Sequence, residues 1–95
     1  MAEVIWSKNA FNDIEDIHAY ISLDSTLYAD NMIETIYLRA NELLFQPFIG
    51  RIVPEENNQS LREIFKGNYR IMYSTESLPD IIIYRIIHFA QNFHQ

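Results

Sequence analysis

The sequence predicts an α+β fold: a helical hairpin packed on one face of an antiparallel sheet, in the order β-α-α-β-β-β. Two observations carry this reading. Apolar residues recur every three or four positions as far as Pro47, but after Gly50 they alternate or run together. Breakers are also scarce, with 2 Gly and 3 Pro in 95 residues, so most of the chain must be regular structure with few interruptions. A chain of this length supplies one core, and residues 1–95 read as a single domain.

The elements follow in order. Glu3 to Trp6 is a short β-branched and aromatic stretch, read as a strand. Ser7 can cap a helix near residues 8–22, because its hydroxyl can accept an otherwise unpaired backbone N–H. Phe11, Ile14, Ile17, His18 and Ile21 give that helix its apolar face, and Asp13, Glu15 and Asp16 lie near its start, where the helix dipole favours anions. Leu23 to Thr26 breaks the pattern with capping residues. A second helix, near 26–46, carries Ala29, Met32, Ile33, Ile36, Ala40, Leu43 and Leu44, and Pro47 is expected to stop it. The short break between the helices favours an antiparallel hairpin.

Arg51 to Ser60, with Pro54, two Glu and two Asn, reads as a surface loop. Residues 61–66 and 69–75 then form a β-hairpin about Gly67-Asn68, a type II′ turn signal. A two-residue turn sets Lys66 opposite Tyr69, Phe65 opposite Arg70 and Arg62 opposite Tyr73. Residues 81–88 are apolar on both faces except at Arg85, as in a strand covered on each side. The first strand either pairs at an edge or inserts beside the hairpin, and the pattern leaves both open.

Composition narrows the function. With 48% hydrophobic and 21% charged residues the chain is an ordinary globular one. The absence of Cys excludes disulfides, thiolate nucleophiles and Cys-ligated zinc. No apolar run is long enough for a membrane span, and no secretory leader pattern opens the sequence, so a soluble cytoplasmic protein is expected. Net charge is −6, which argues against blanket phosphate neutralisation and against direct sequence-specific DNA binding. The charge is uneven. Residues 1–46 carry two basic and eight acidic residues, whereas 47–95 carry five of each.

Few residues could carry chemistry. His18, His88 and His94 lack ligand spacing, so no metal or other cofactor is expected, and His18 reads as a satisfied side chain on an apolar helix face. There is no nucleophile elbow around Ser74 and no glycine-rich phosphate loop. The remaining constellation is Arg62, Lys66, Arg70, Arg85 and His88 on the last three strands. Guanidinium groups can clamp phosphate, and His can move a proton near neutral pH. The structural alternative is cross-strand ion pairing, because Glu63 sits diagonal to Arg70 on a partly exposed face. Phe11, Phe65, Tyr69 and Tyr73 are expected in buried stripes rather than in base stacking.

Several segments together resemble one family. Ile5-Trp6-Ser7 with Ala10, Ile14-Glu15-Asp16-Ile17 and Tyr20-Ile21 resembles the opening of RelE/ParE-superfamily toxins. Gly50-Arg51-Ile52-Val53-Pro54-Glu55, Leu61-Arg62-Glu63-Ile64, Gly67 to Tyr73 and Ile86-Ile87-His88-Phe89-Ala90 resemble their later segments, in the same order. The resemblance implies the same α+β fold and the toxin half of a type II toxin–antitoxin (plasmid stabilisation) module, silenced by a cognate antitoxin. Two activities occur in the superfamily. RelE-like members cut mRNA on the ribosome; here that activity would fall to Arg62, Arg70, Arg85 and His88. ParE-like members are not nucleases and inhibit DNA gyrase. The motif set resembles the ParE-like branch, and three features agree with it. The charge is −6, Arg62 and Ile64 stand where paired lysines are common in RelE-like nucleases, and no Tyr follows Tyr84. Gln91 stands where many relatives have Arg, so a detoxified, antitoxin-binding relative is a further alternative.

Overall fold

Ser7 does cap the first helix: its hydroxyl accepts the Ala10 N–H at 3.1 Å, and α1 runs Lys8–Ser22. The structure, a computed structural model, describes residues 1–88; Phe89, Ala90, Gln91 and His94 lie outside the described residues. β1 is Val4–Trp6. Ser25 caps α2, Thr26–Asn41, by accepting the Tyr28 N–H at 3.0 Å. The α-helix ends before the expected residue 46. Phe45 N–H turns back to the Glu42 carbonyl at 3.1 Å, tightening residues Glu42–Leu44 into a 3-10 turn ahead of Pro47.

β2 is Arg51–Ile52, β3 is Leu61–Lys66, β4 is Tyr69–Ser74 and β5 is Ile81–His88. Among the described residues they form a five-stranded sheet in the order β1-β5-β4-β3-β2. The expected hairpin register holds: Lys66 faces Tyr69, Phe65 faces Arg70 and Arg62 faces Tyr73. Gly67 has φ +59 and no other described residue has positive φ, the pattern of a type II′ turn. Three points differ from the expectation. β1 takes the edge, one of the two placements left open, but it runs parallel to β5, Val4 opposite Ile81, so the sheet is mixed and not wholly antiparallel. Arg51–Ile52, expected within a loop, pairs with Glu63 and Arg62 as the other edge strand. Finally, β5 carries a bulge: Met72 faces Arg85 but Tyr73 faces Ile83, leaving Tyr84 extra.

The helices cover one face, α1 over β5 and α2 over β3. Between helices and sheet lie Ile14, Ile17, Ile36, Leu43, Ile64, Ile71, Tyr73, Ile81, Ile83 and Ile86, with Ala10 and Ala40 where helix backbones come close. Phe11 was expected in this core and is instead 49% exposed, whereas Ala10 is fully buried. The stripe of α1 is centred on 10, 14, 17 and 21, and Phe11 sits on its flank. The acids of α1 are also not in its first turn. Asp13 instead accepts the Ile86 N–H at 2.8 Å and binds Arg85 at the β5 bulge, satisfying a backbone donor that β1 is too short to reach.

Candidate functional site

The basic residues of the last three strands do not converge. β-alternation sends Arg70 to the face away from the helices and Arg62 to the face beneath them.

Arg70 is buried, its side chain 6% exposed, and Glu63 beside it is 0% exposed. The face expected to be partly open is therefore closed at this point. Arg70 Nε donates to Glu63 at 2.9 Å, and its Nη2 also reaches Glu55 at 3.1 Å. Glu63 in turn accepts from Arg51 Nε at 2.6 Å. Two arginines and two glutamates thus alternate in a neutral network, Arg51–Glu63–Arg70–Glu55. Burial alone would lower the Arg70 pKa, but the Glu63 and Glu55 carboxylates outweigh it and raise it. Glu55 is held below the usual carboxylate range by a hydrogen bond from its own backbone, against some desolvation and with help from Arg70. Sequence reasoning found the Glu63–Arg70 diagonal but missed Arg51 and Glu55. Nothing in the pattern of residues 51–60 signals that this segment crosses the sheet face.

Arg62 serves the backbone. Its Nη1 donates to the carbonyls of Gly50 at 2.7 Å and Phe48 at 3.3 Å, and its guanidinium lies 5.1 Å from the Phe48 ring centre. It has no carboxylate partner among the described residues, and its buried Nε has no hydrogen-bond partner among them. The same segment is fastened by Tyr73, whose hydroxyl donates to Pro47 O at 2.8 Å and accepts the Gly50 N–H at 3.0 Å. Gly50 is required here, because a Cβ would stand 2.6 Å from both Glu63 O and Tyr73 Oη.

Arg85 pairs with Asp13 at 2.8 Å, and that hydrogen bond raises its pKa. His88 faces Tyr69 at the end of the sheet, ring centres 5.0 Å apart. Tyr20 and Tyr28 at the hairpin tip lie close enough to Tyr69 to add to its raised pKa, after burial. Lys66 is exposed, and Ser74 lies at the end of β4. His18 is half-buried and bonds Asp30 across the helical hairpin at 2.7 Å. No three His, Asp or Glu residues group as a metal site among the described residues, and no described helix is long and apolar enough to cross a membrane.

Two exposed apolar clusters stand out against these engaged charges. Tyr20, Leu23, Leu27 and Tyr28 surround the helical turn, each more than half exposed. Phe45, Phe48 and Ile49 follow α2, with Ile52 on the open edge of β2.

The profile of the ParE toxin family of type II toxin–antitoxin systems (parDE) matches residues 4–93. No curated protein sequence matches. Among solved structures, the chromosomal ParDE toxin–antitoxin system from P. aeruginosa aligns with a TM-score of 0.72 at 18% identity, covering 93% of this chain and 96% of that one. A RelBE toxin–antitoxin complex from Mycobacterium tuberculosis aligns with a TM-score of 0.65 at 17% identity, covering 92% and 96%. At these identities the structural likeness concerns the fold, and it matches the architecture described above.

Proposed function

The chain belongs to the ParE toxin family of type II toxin–antitoxin systems, and from that premise we propose that it inhibits DNA gyrase and is neutralised by a cognate antitoxin. The toxin acts here by binding rather than by cutting. The single observation that favours this over an mRNA endonuclease is the engagement of the strand arginines. Arg70 is shut in between Glu63 and Glu55, Arg85 is held by Asp13, and Arg62 is spent on the Phe48 and Gly50 carbonyls. A phosphate clamp needs cationic donors aimed at a shared point. These three point to different places and already have acceptors. Net charge agrees, since a −6 protein is a poor match for ribosomal RNA. An antitoxin that covers the exposed apolar clusters would remove them from water and block the toxin's surface together. Its role in plasmid stabilisation follows from the same reading.

The test is direct. Purified protein is expected to block gyrase supercoiling or to trap gyrase-cleaved DNA, and added antitoxin to relieve the block. Ribosome-dependent mRNA cleavage by the wild-type chain, lost in His88→Ala and Arg85→Ala, would replace this reading with the endonuclease one.

A further inference from the structure

On the solvent side of the helical hairpin, α1 and α2 leave a cleft of about 440 Å³, lined by Phe11, Ile14, Glu15, His18, Ala19 and Ile33. The core closes its floor: Ile14 is buried, and Ile33 packs half-buried against the core. Its rim is open, with Phe11 49% exposed and Glu15 and Ala19 exposed beside it. Helical spacing puts Phe11, Glu15, His18 and Ala19 on one flank of α1, turned away from the 10, 14, 17 and 21 stripe that meets the core. The walls belong to helices and not to a loop. His18 bonds Asp30 across the hairpin at 2.7 Å, and Ser22 Oγ stands 3.4 Å from its other ring nitrogen. An occupant therefore meets a surface that is already shaped, and little of its binding free energy goes into ordering the cleft.

The charge around the cleft selects its occupant. Glu15, Asp16, Asp24 and Glu34 stand on the two helices and their turn with no ion-pair partner among the described residues. Lys8 lies at the start of α1 and Arg39 near the end of α2, where it is paired with Glu42. A second copy of the chain would bring the same acids to the contact. A nucleic acid or an anionic lipid surface would bring phosphates. Each of these meets like charge. A basic protein segment meets opposite charge instead, within the roughly 8–10 Å that salt leaves unscreened. An enzyme that grips DNA carries Lys- and Arg-rich surface of this kind. We propose that the cleft is where the toxin docks on gyrase. It would take a Leu-, Ile- or Met-type anchor from a basic segment of the enzyme, with Phe11 and Ile33 against the anchor and Glu15 against its basic neighbours. The inference rests on the gyrase reading above and adds the face of the toxin and the chemistry of the contact.

The experiment measures binding of the purified chain to purified gyrase, and inhibition of supercoiling, at low and high salt. Thermal unfolding and affinity for the cognate antitoxin are followed in each variant. Ala19→Trp fills the cleft from an exposed helix position, and Glu15→Lys reverses the charge at its rim. Each is expected to weaken gyrase binding about tenfold. Salt should weaken the wild type more than Glu15→Lys. Glu76→Lys makes the same change in net charge on the exposed loop before β5, outside the hairpin, and should stay within about twofold. Gyrase binding that ignores Ala19→Trp and Glu15→Lys would leave the gyrase reading intact and overturn the cleft. Equal losses in Glu15→Lys and Glu76→Lys, with none in Ala19→Trp, would do the same, because net charge alone would then be at work. A wild-type chain that neither binds nor inhibits gyrase would instead remove the gyrase reading, and the cleft's occupant with it. A loss confined to antitoxin affinity, or a dimer of the bare chain that Ala19→Trp dissolves, would give the cleft to another occupant and overturn the inference.

Discussion

On the helix side of β3 and β4, Ile64, Ile71 and Tyr73 share a core with isoleucines of α1, α2 and β5 and with Leu43 of the turn after α2. On the opposite side of the same strands, Glu63 and Arg70 are as deeply buried, but against each other. The first face is held by area removed from water, about 1.5–3 kcal/mol for each large side chain. On the second, Coulomb attraction must offset the cost of taking two charges out of water. Substitution on the apolar side therefore scales with lost volume, whereas on the ionic side it depends on which charge is left behind.

The largest expected effect follows from that difference. Glu63→Ala leaves the buried Arg70 with only the half-exposed Glu55 and should lower unfolding free energy by about 3 kcal/mol, Arg51 being exposed enough to return to water. Arg70→Ala should cost less, because Glu63 then keeps Arg51 at 2.6 Å, a shorter contact than the 3.1 Å from Arg70 to Glu55 that survives in Glu63→Ala. A Glu63→Leu/Arg70→Met double substitution, which removes both charges, should come back close to wild type in denaturant unfolding. A double as unstable as Glu63→Ala would mean that the pair contributes net stability, and the comparison would fail.

The apolar side has one polar fastening. Tyr73→Phe keeps the ring but leaves Pro47 O and Gly50 N without their partner, an expected loss of about 1–3 kcal/mol in chemical unfolding. A neutral result would show that Arg62 holds the segment after α2 without help.

Tyr84 sharpens the contrast from the other side. Its buried hydroxyl has no partner among the described residues, and burial, with Glu56 and Glu63 nearby, pushes its pKa from 10.0 to about 12. Because the folded value is the higher one, stability should be full below pH 10.0 and fall as pH rises toward 12. Tyr84→Phe should be neutral or stabilising by about 0–1 kcal/mol at neutral pH and should flatten the alkaline decline in a melting series. Persistence of that decline in the variant would assign it to other groups.

Glu55 gives the smallest effect. Its folded pKa lies below the usual 4.5, so its contribution is present above that pH and lost as pH falls through the folded value. The side chain is 52% exposed, so Glu55→Gln should remove about 0.5 kcal/mol or less and weaken the acid dependence of stability. An acid titration identical to wild type would place Glu55 outside the network energetically.

These contrasts were legible in the sequence to different depths. Register and facing of Arg62, Glu63 and Arg70 could be read because a two-residue turn fixes pairing and alternation does the rest. The burial of the Glu63–Arg70 pair could not, because it depends on the path of residues 53–60, where no hydrophobic period operates. The place of β1 was similarly undetermined: three residues pair equally well with any free edge until the helices fix where their N-terminal end lies. Phe11 was misplaced because the pattern ranks residues by hydropathy, while close helix–sheet approach selected the smaller Ala10. Of the candidate site, the residue types were visible and their dispersal was not. That needed the partners Glu55, Asp13 and the Gly50 carbonyl, each from a distant segment.

The parallel pairing of Val4 with Ile81 has a consequence during synthesis. The strand made early waits for the strand made late, with both helices and the β-hairpin between them. At translation speeds of about 5–20 residues per second, that wait lasts roughly 4–15 seconds. Local helices can flicker in and out in that interval, but the edge of the sheet cannot close. Whatever depends on the closed sheet therefore waits until β5 has been made, however early the helices form.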